Sequence, residues 1–330
     1  MRRLGVALVV VLALAGCTTP TPEPEETVGP PVAEVPGPDL PFGGDCSTVL
    51  GVATASDAVG IDVVLTDLNA LFRHSLAPEA LAPEAAGSLL CDWNAEGEIA
   101  GWVTVVASPA SAVDARDQSF SCIHPSDNID EGGTLSCSSA FTTNGVWVSL
   151  VLGGATGLSE AEYRAGADSI TAEISALAVT LASVPEAPAP IAARTCSDFA
   201  DVPAAVDSPS LIAKPYSGIE NAPIGYGDAL AAAGFLGCSW EPSGDTAAEG
   251  ELDGFLFTTI ADAAWAESRV QAAGATTLRL EGVDAAYLVS DDDIDTVHAF
   301  VGSTWISVED YGSDPVSILP AVQAIAADLG

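Results

Sequence analysis

Histidines, serines and clustered carboxylates are the side chains of this chain equipped for chemistry, and their spacing suits catalysis poorly. A nucleophilic serine needs a tight turn and a base within hydrogen-bond reach. The sequence contains no G-x-S-x-G, H-E-x-x-H or S-x-x-K and no glycine-rich phosphate loop. Its three histidines are His74 at the end of an expected helix, His124 two residues past a cysteine, and His298 within an expected strand. These are settings of surface or turn histidines, so the chain reads as no enzyme; a hydrolase with an unrecognised site is the third-ranked alternative. Asp291-Asp292-Asp293 with Asp295, and Asp127, Asp130 and Glu131, offer the carboxylate density that calcium requires. Neither group has EF-hand spacing, and a chain with 46 acidic residues clusters carboxylates in solvated loops anyway. No metal site and no cofactor is therefore expected. Trp93, Trp102, Trp147, Trp240 and Trp305 fall in expected strands. Indoles there stack on sugars or fill a core, and cysteine and β-branched neighbours favour the core. Trp265, in an expected helix, is the tryptophan whose exposure would matter.

The charge balance narrows the partners. Nine basic residues against 46 acidic ones leave a net charge of −37, and Lys214 is the only lysine. Such a surface repels phosphate backbones and anionic headgroups, which excludes nucleic acid and holds the folded part off a bilayer. A cationic ligand or basic partner is allowed but not implied. At the start, Met1-Arg2-Arg3 precedes an apolar run from Leu4 to Ala15, then Gly16 and Cys17. A basic start, an apolar stretch and small residues describe a secretory signal. Leu14-Ala15-Gly16-Cys17 resembles the bacterial lipobox, which implies cleavage before Cys17 and its diacylation. An ordinary signal with a chance cysteine is the competing reading. Residues 17–44 are rich in proline, threonine and glutamate and read as an extended tether.

The elements are organised by a repeat. Ala85-Ala86-Gly87-Ser88-Leu89-Leu90-Cys91-Asp92-Trp93 returns as Ala232-Ala233-Gly234-Phe235-Leu236-Gly237-Cys238-Ser239-Trp240, identical at six of nine positions. In the first copy, residues 45–183, Cys46 to Arg73 reads as one or two helices and Ala77 to Ala86 as short helical turns stopped by Gly87. Leu89 to Trp93 and Gly101 to Val106 read as one hairpin, and Ala110 to Ser119 as a helix. Thr134 to Phe141 and Val146 to Leu152 make a second hairpin around Asn144-Gly145. Ser159 with Glu162 forms a capping box for a closing helix whose apolar face is Tyr163, Ile170, Ile174, Leu177 and Leu181. Residues 184–194 are a proline-rich linker. The second copy, residues 195–330, runs in the same order: a helix from Tyr226, strands at Phe235 to Trp240 and Gly254 to Ile260, and a middle helix from Asp262 to Ala273. Strands at Ala285 to Ser290 and Val297 to Val308 follow, with Trp305 where Trp147 stood. Ile318, Val322, Ile325 and Leu329 give the closing helical face. The expected fold is α+β: two tandem α-β-β-α-β-β-α units, each an antiparallel sheet with helices on one face.

With Cys17 acylated, six of the seven cysteines remain, an even number in an oxidising compartment. If each copy folds alone, Cys196 and Cys238 must pair. Correspondence then joins Cys46 to Cys91 and leaves Cys122 for Cys137. The long bridges contribute roughly 4 kcal/mol each and the short one about 3 in the loop-entropy account. Zinc thiolate chemistry is the alternative, and no C-x-x-C spacing supports it.

Cys17, the proline-rich stalk, Cys46, Cys91-Asp92-Trp93, Cys196 and Cys238-Ser239-Trp240 together resemble a group of actinobacterial secreted lipoproteins of unknown function. The resemblance implies an architecture and a place on the extracytoplasmic face of the cell membrane, held there by a lipid anchor. It implies no active site. The expected function is a non-catalytic binding or interaction module of the envelope. The alternative is a carrier of a lipid or small hydrophobic ligand, since periodicity does not distinguish a filled core from a hollow one.

Overall fold

The computed structural model describes residues 35–66, 77–96, 100–113, 117–123, 135–154, 157–181, 183–184, 186, 194–216, 226–243, 252, 254–291, 294–310 and 315–329. The secretory signal, Cys17 and most of the tether lie outside these residues. The described residues form two antiparallel sheets with helices against them, a mixed α+β architecture braced by three disulfides.

In the first sheet the strands are β1 (Val63–Leu65), β2 (Leu89–Ala95), β3 (Gly101–Pro109), β4 (Gln118–Ile123), β5 (Leu135–Thr143) and β6 (Val146–Gly154). Their spatial order is β1-β2-β3-β6-β5-β4. In the second they are β7 (Leu211–Pro215), β8 (Leu236–Pro242), β9 (Phe255–Ile260), β10 (Thr276–Leu278), β11 (Ala285–Asp291), β12 (Ile294–Val301) and β13 (Thr304–Asp310). Read from β7, their order is β7-β8-β9-β13-β12-β11-β10. The two orders correspond strand for strand, with β10 an extra edge.

Helices α1 (Cys46–Val49), α2 (Val52–Val59) and α4 (Glu160–Ala178) belong with one face of the first sheet. Ser159 caps α4, accepting from the Glu162 backbone N–H while Glu162 Oε2 accepts from the Ser159 N–H at 2.7 Å. Tyr163, Ile170 and Ile174 are fully buried beneath it. Glycine at 166 lets α4 approach α2: a Cβ there would stand 2.7 Å from the Ala58 carbonyl oxygen. On the second sheet the matching cover is α5 (Val202–Ala205) and α8 (Leu319–Leu329), with Ile318, Val322 and Ile325 fully buried and Leu329 partly so.

The repeated nonapeptide performs one local task twice. Helices α3 (Ala77–Ala85) and α6 (Tyr226–Ala232) each run out into Ala-Ala-Gly. Gly87 and Gly234 adopt φ of 72° and 62°, the left-handed conformation that ends helices at glycine. The next N–H then reaches five residues back: Ser88 to the Pro83 carbonyl at 2.8 Å, Phe235 to the Leu230 carbonyl at 3.0 Å. The turn delivers Cys91 and Cys238 into strands, where they bond Cys46 and Cys196 across Cα separations of 5.4 and 5.8 Å. Cys122 and Cys137 face each other across β4 and β5 and form the third bridge.

Several elements depart from the sequence reading. Helices do not keep to one face. Leu81, Ala82, Ala85 and Ala86 of the α3 region share a single buried cluster with Leu90 and Val106 of the first sheet. Leu230 of α6, Trp265, Val270 of α7 (Ala266–Ala272) and Ile260, Phe300 and Trp305 of the second sheet complete that cluster. Helix α3 packs on both α6 and β9, and Arg269 Nη2 reaches Glu84 Oε2 at 2.9 Å. Residues 110–113 form a turn instead of a helix, and the chain enters β4 at Gln118. Pairing with β5 and the Cys122–Cys137 bridge outweigh the helical propensity of the alanines there. Short strands β1 and β7 precede α3 and α6 where no strand was expected, because each completes a sheet edge against β2 or β8. Before Cys46, Phe42 is buried in the first core with Leu40 packed against it, so the folded part starts upstream of the first domain cysteine.

Candidate functional site

Each strand of the second sheet offers alternate residues to its two faces. One face carries Phe255, Phe257, Val297, Ala299, Ile306 and Val308 and packs under α8, as an apolar core side should. The other face, toward α7, is different. Register aligns Tyr287 of β11, His298 of β12, Ser307 of β13 and Thr258 of β9 in one row across four strands. Thr258 in turn faces Gly237 of β8. Thr296 and Glu309 pair in the neighbouring row, with Ser239 two strands further on. Thr258, Thr296, His298, Ser307, Glu309 and Ser239 are all buried. Polar residues on a sheet face normally meet water, and a hidden face normally is apolar. This one is polar and hidden.

Its ends are framed by tyrosines. A Cβ on Gly237 would lie 2.9 Å from Cδ1 of Tyr216, so the missing side chain leaves room for that ring over the row. At the other end the Tyr287 hydroxyl donates to Glu267 Oε1 at 2.7 Å and accepts from Gln271 Nε2. Beside the row, the Phe300 and Trp305 rings stack with centroids 6.2 Å apart.

His298 sits at the centre. Its Nδ1 accepts a hydrogen bond from the Trp305 indole N–H at 3.3 Å. That leaves the proton of the neutral ring on Nε2. Burial pushes the imidazole pKa down to about 3, because the charged form would lose its hydration without gaining a counter-charge. Among the described residues, His298 Nε2 and Thr258 Oγ1 are buried without a hydrogen-bond partner, as are the indole nitrogens of Trp93, Trp240 and Trp265 and the hydroxyls of Ser149 and Ser317. An unmet buried donor costs about 1–3 kcal/mol, so two on one row are a substantial burden.

The first sheet, whose strand order corresponds, gives a comparison. Its matching row is Leu90, Val106, Ser149 and Ala140, all buried and apolar but for the one serine. A separate polar group sits near its edge, where Asp92 accepts from Thr104 Oγ1 at 2.7 Å and from Asn94 Nδ2. Burial raises the Asp92 carboxyl above its ordinary range, with those two hydrogen bonds opposing.

The residues singled out from the sequence distribute as follows. Cys46, Cys91, Cys122, Cys137, Cys196 and Cys238 are joined in the expected pairs. His298 is not a surface or turn residue, as its strand position had suggested, but fully buried beside the Trp305 ring, on a face whose Tyr287, Phe300 and Trp305 cluster with residues of α3, α6 and α7 although alternation marks it as solvent-facing. His74, His124, Asp127, Asp130, Glu131, Asp292 and Asp293 lie outside the described residues. Among the described residues no group of three or more His, Cys, Asp or Glu is arranged to hold a metal. Trp93, Trp147, Trp240 and Trp305 are buried, whereas Trp102 is half-buried and lies across Gly153. Trp265 is buried too, with the Arg269 guanidinium 4.7 Å above its ring. Sequence reasoning missed the row through Thr258, His298 and Ser307. The period-two spacing of Thr296 and His298, and of Ser307 and Glu309, was the available signal, and it reads as an ordinary exposed strand side. Among the described residues no helix is long and apolar enough to cross a membrane. Compared with protein-family models, curated proteins and solved structures, the chain matches none.

Proposed function

We propose that this chain is a lipid-anchored extracytoplasmic lipoprotein, two tandem copies of one α+β unit, that acts as a non-catalytic binding module through the polar face of its second sheet. Support for the duplication comes from the corresponding strand orders, the twice-used Ala-Ala-Gly turn and the matched Cys46–Cys91 and Cys196–Cys238 bridges. Trp147 and Trp305 also occupy matching register positions, each two residues before the serine of its row. The reading of the units as residues 45–183 and 195–330, with a lipid-bearing Cys17 and a tether ahead of them, goes with it.

The observation that carries the binding role is the concentration of polarity in one buried row, where His298 Nε2 and Thr258 Oγ1 are both unmet, while the corresponding row of the first sheet is apolar but for Ser149, whose Oγ is also unmet. A buried polar group kept at such cost is a mark of function. Binding fits better than catalysis because, among the described residues, the hydrogen bond of His298 goes to an indole, which neither activates nor accepts a nucleophile's proton.

Two measurements test this. Metabolic labelling with an alkyne palmitate should mark the wild-type protein, and Cys17→Ala should abolish the label and release the protein from the membrane. Native mass spectrometry of protein extracted from its own membrane should show a bound small molecule. A phospholipid adduct in its place would favour the carrier reading, and unlabelled wild-type protein would remove the anchor.

A further inference from the structure

We infer that the open outer face of the first sheet, around Trp102, is a separate binding surface and takes a neutral glycan chain; it is built from other residues than the buried row of the second sheet and does not rest on it.

The face that α3 covers along Leu90 and Val106 continues beyond that helix into two further rows. In the outer one, register aligns Val64, Asn94, Trp102, Gly153, Ser136 and Ile123 across all six strands. Val64 and Ile123, at its ends, are 41% and 72% exposed, and Asn94, Trp102 and Ser136 are half-buried. The row between it and α3 holds Asp92, Thr104, Val151 and Ser138, of which only Val151 is buried. A ligand therefore reaches these side chains from solvent, with no packed element to displace among the described residues.

Trp102 gives the surface its apolar part. A Cβ on Gly153 would stand 2.7 Å from Trp102 Cζ2, so the indole fills the space that a side chain on β6 would take. It lies across the sheet, partly in solvent, whereas Trp93 and Trp147 of the same sheet are buried. An indole so placed offers ring surface to the C–H face of a sugar.

Polar groups stand on both sides of it. Asn94 Nδ2 donates to Asp92 Oδ2 and to Thr66 Oγ1, the latter at 2.9 Å, and Thr104 Oγ1 donates to Asp92 Oδ1 at 2.7 Å. This network fixes Asn94 opposite Trp102 and leaves its side-chain oxygen, with further lone pairs on Asp92, to accept from hydroxyls. Across Gly153 and Val151, Ser136 and Ser138 add hydroxyls that both donate and accept. Trp102 and Ser136 stand on strands separated by β6, about 10 Å apart, so a chain of linked rings touches both and a single ring does not.

Charge selects among glycans. The two rows contain no lysine, arginine or histidine, and Asp92 is already engaged by Thr104 and Asn94. With a net charge of −37 on the whole chain, an acidic polysaccharide is repelled and finds no cation on the surface.

Cellohexaose, maltohexaose, N-acetylchitohexaose and polygalacturonate, titrated into the mature disulfide-bonded protein, test this by calorimetry and tryptophan fluorescence. At least one of the three neutral oligosaccharides should bind and perturb the fluorescence, and polygalacturonate should not bind. Trp102→Ala should weaken the binding about tenfold or more, and Trp102→Phe, which keeps a ring, distinctly less. Ser136→Ala should weaken it about threefold, and covers the case in which the tryptophan variant fails to fold. His298→Phe should leave the affinity unchanged. Failure of all three neutral oligosaccharides, or equal binding of polygalacturonate, would overturn the inference. So would binding that survives Trp102→Ala in a protein with native circular dichroism, or that His298→Phe abolishes. None of these results bears on an adduct of the second sheet, which native mass spectrometry detects separately.

Discussion

The two sheets share a strand order and a serine at the same register position, Ser149 in one and Ser307 in the other, and differ in what surrounds it. Around Ser149 stand Leu90, Val106 and Ala140. Around Ser307 stand Gly237, Thr258 and His298. The scaffold plainly tolerates an apolar row, since the first sheet has one. A polar row in the second is therefore no requirement of the fold; it leaves His298 Nε2 and Thr258 Oγ1 unmet where the first leaves Ser149 Oγ. The disulfides divide along the same line. Each sheet has the bridge that ties its opening turn to the Cys-x-Trp strand, and the first adds Cys122–Cys137 across its edge.

If the long bridges are equivalent, losing either should weaken the chain alike and more than any other single change. Cys238→Ser with Cys196→Ser, and Cys91→Ser with Cys46→Ser, should each lose about 2–5 kcal/mol in chemical denaturation. A pair that changes nothing would separate the two sheets in their dependence on the bridge. Next in size is an exchange across the rows: Ala140→His places in the first sheet a buried polar group with no prepared partner and should lose about 2–4 kcal/mol. A neutral outcome would mean that this face of the first sheet accommodates polarity as easily as the second.

The histidine also sets a pH signature that only the second sheet has. His298 is neutral when folded down to about pH 3, whereas in the unfolded chain it titrates near 6.5. Below ~6.5 the unfolded state binds a proton that the folded state refuses. Stability thus falls as pH drops toward 3, by at most about 1.4 kcal/mol per unit, and is unaffected by this group above 6.5. Denaturation of wild type and His298→Phe at pH 7, 6 and 5 isolates the slope as a difference, free of the many carboxylates. The smallest effect separates cost from use. Thr258→Val and Ser149→Ala each remove a buried hydroxyl without a partner. Both should leave stability unchanged or raise it by up to ~1 kcal/mol, read as melting temperature, and only the first should alter ligand binding.

Much of the scaffold was legible before any coordinates, and for local reasons. The capping box at Ser159 and Glu162 and the Asn144-Gly145 hairpin, with φ of 45° and 80°, are written within a few residues of where they act. So is the glycine that stops α3 and α6. The cysteine pairs followed from counting and correspondence. Misreadings came where a distant element decided the outcome. Residues 118–123 became a strand because β5 was there to pair with, and helices α3, α6 and α7 left the expected face to build a core between the two sheets.

The site belongs to that second category. Sequence alone determined that Thr296, His298 and Phe300, and likewise Trp305, Ser307 and Glu309, share a side of their strands, because backbone pleating makes alternation unavoidable. Whether that side meets water or is closed from it depends on what packs above it. The answer came from α7, from rings four strands apart, and from a helix contributed by the other half of the chain. Burial is a property of the assembled surface, and no window of neighbouring residues contains it.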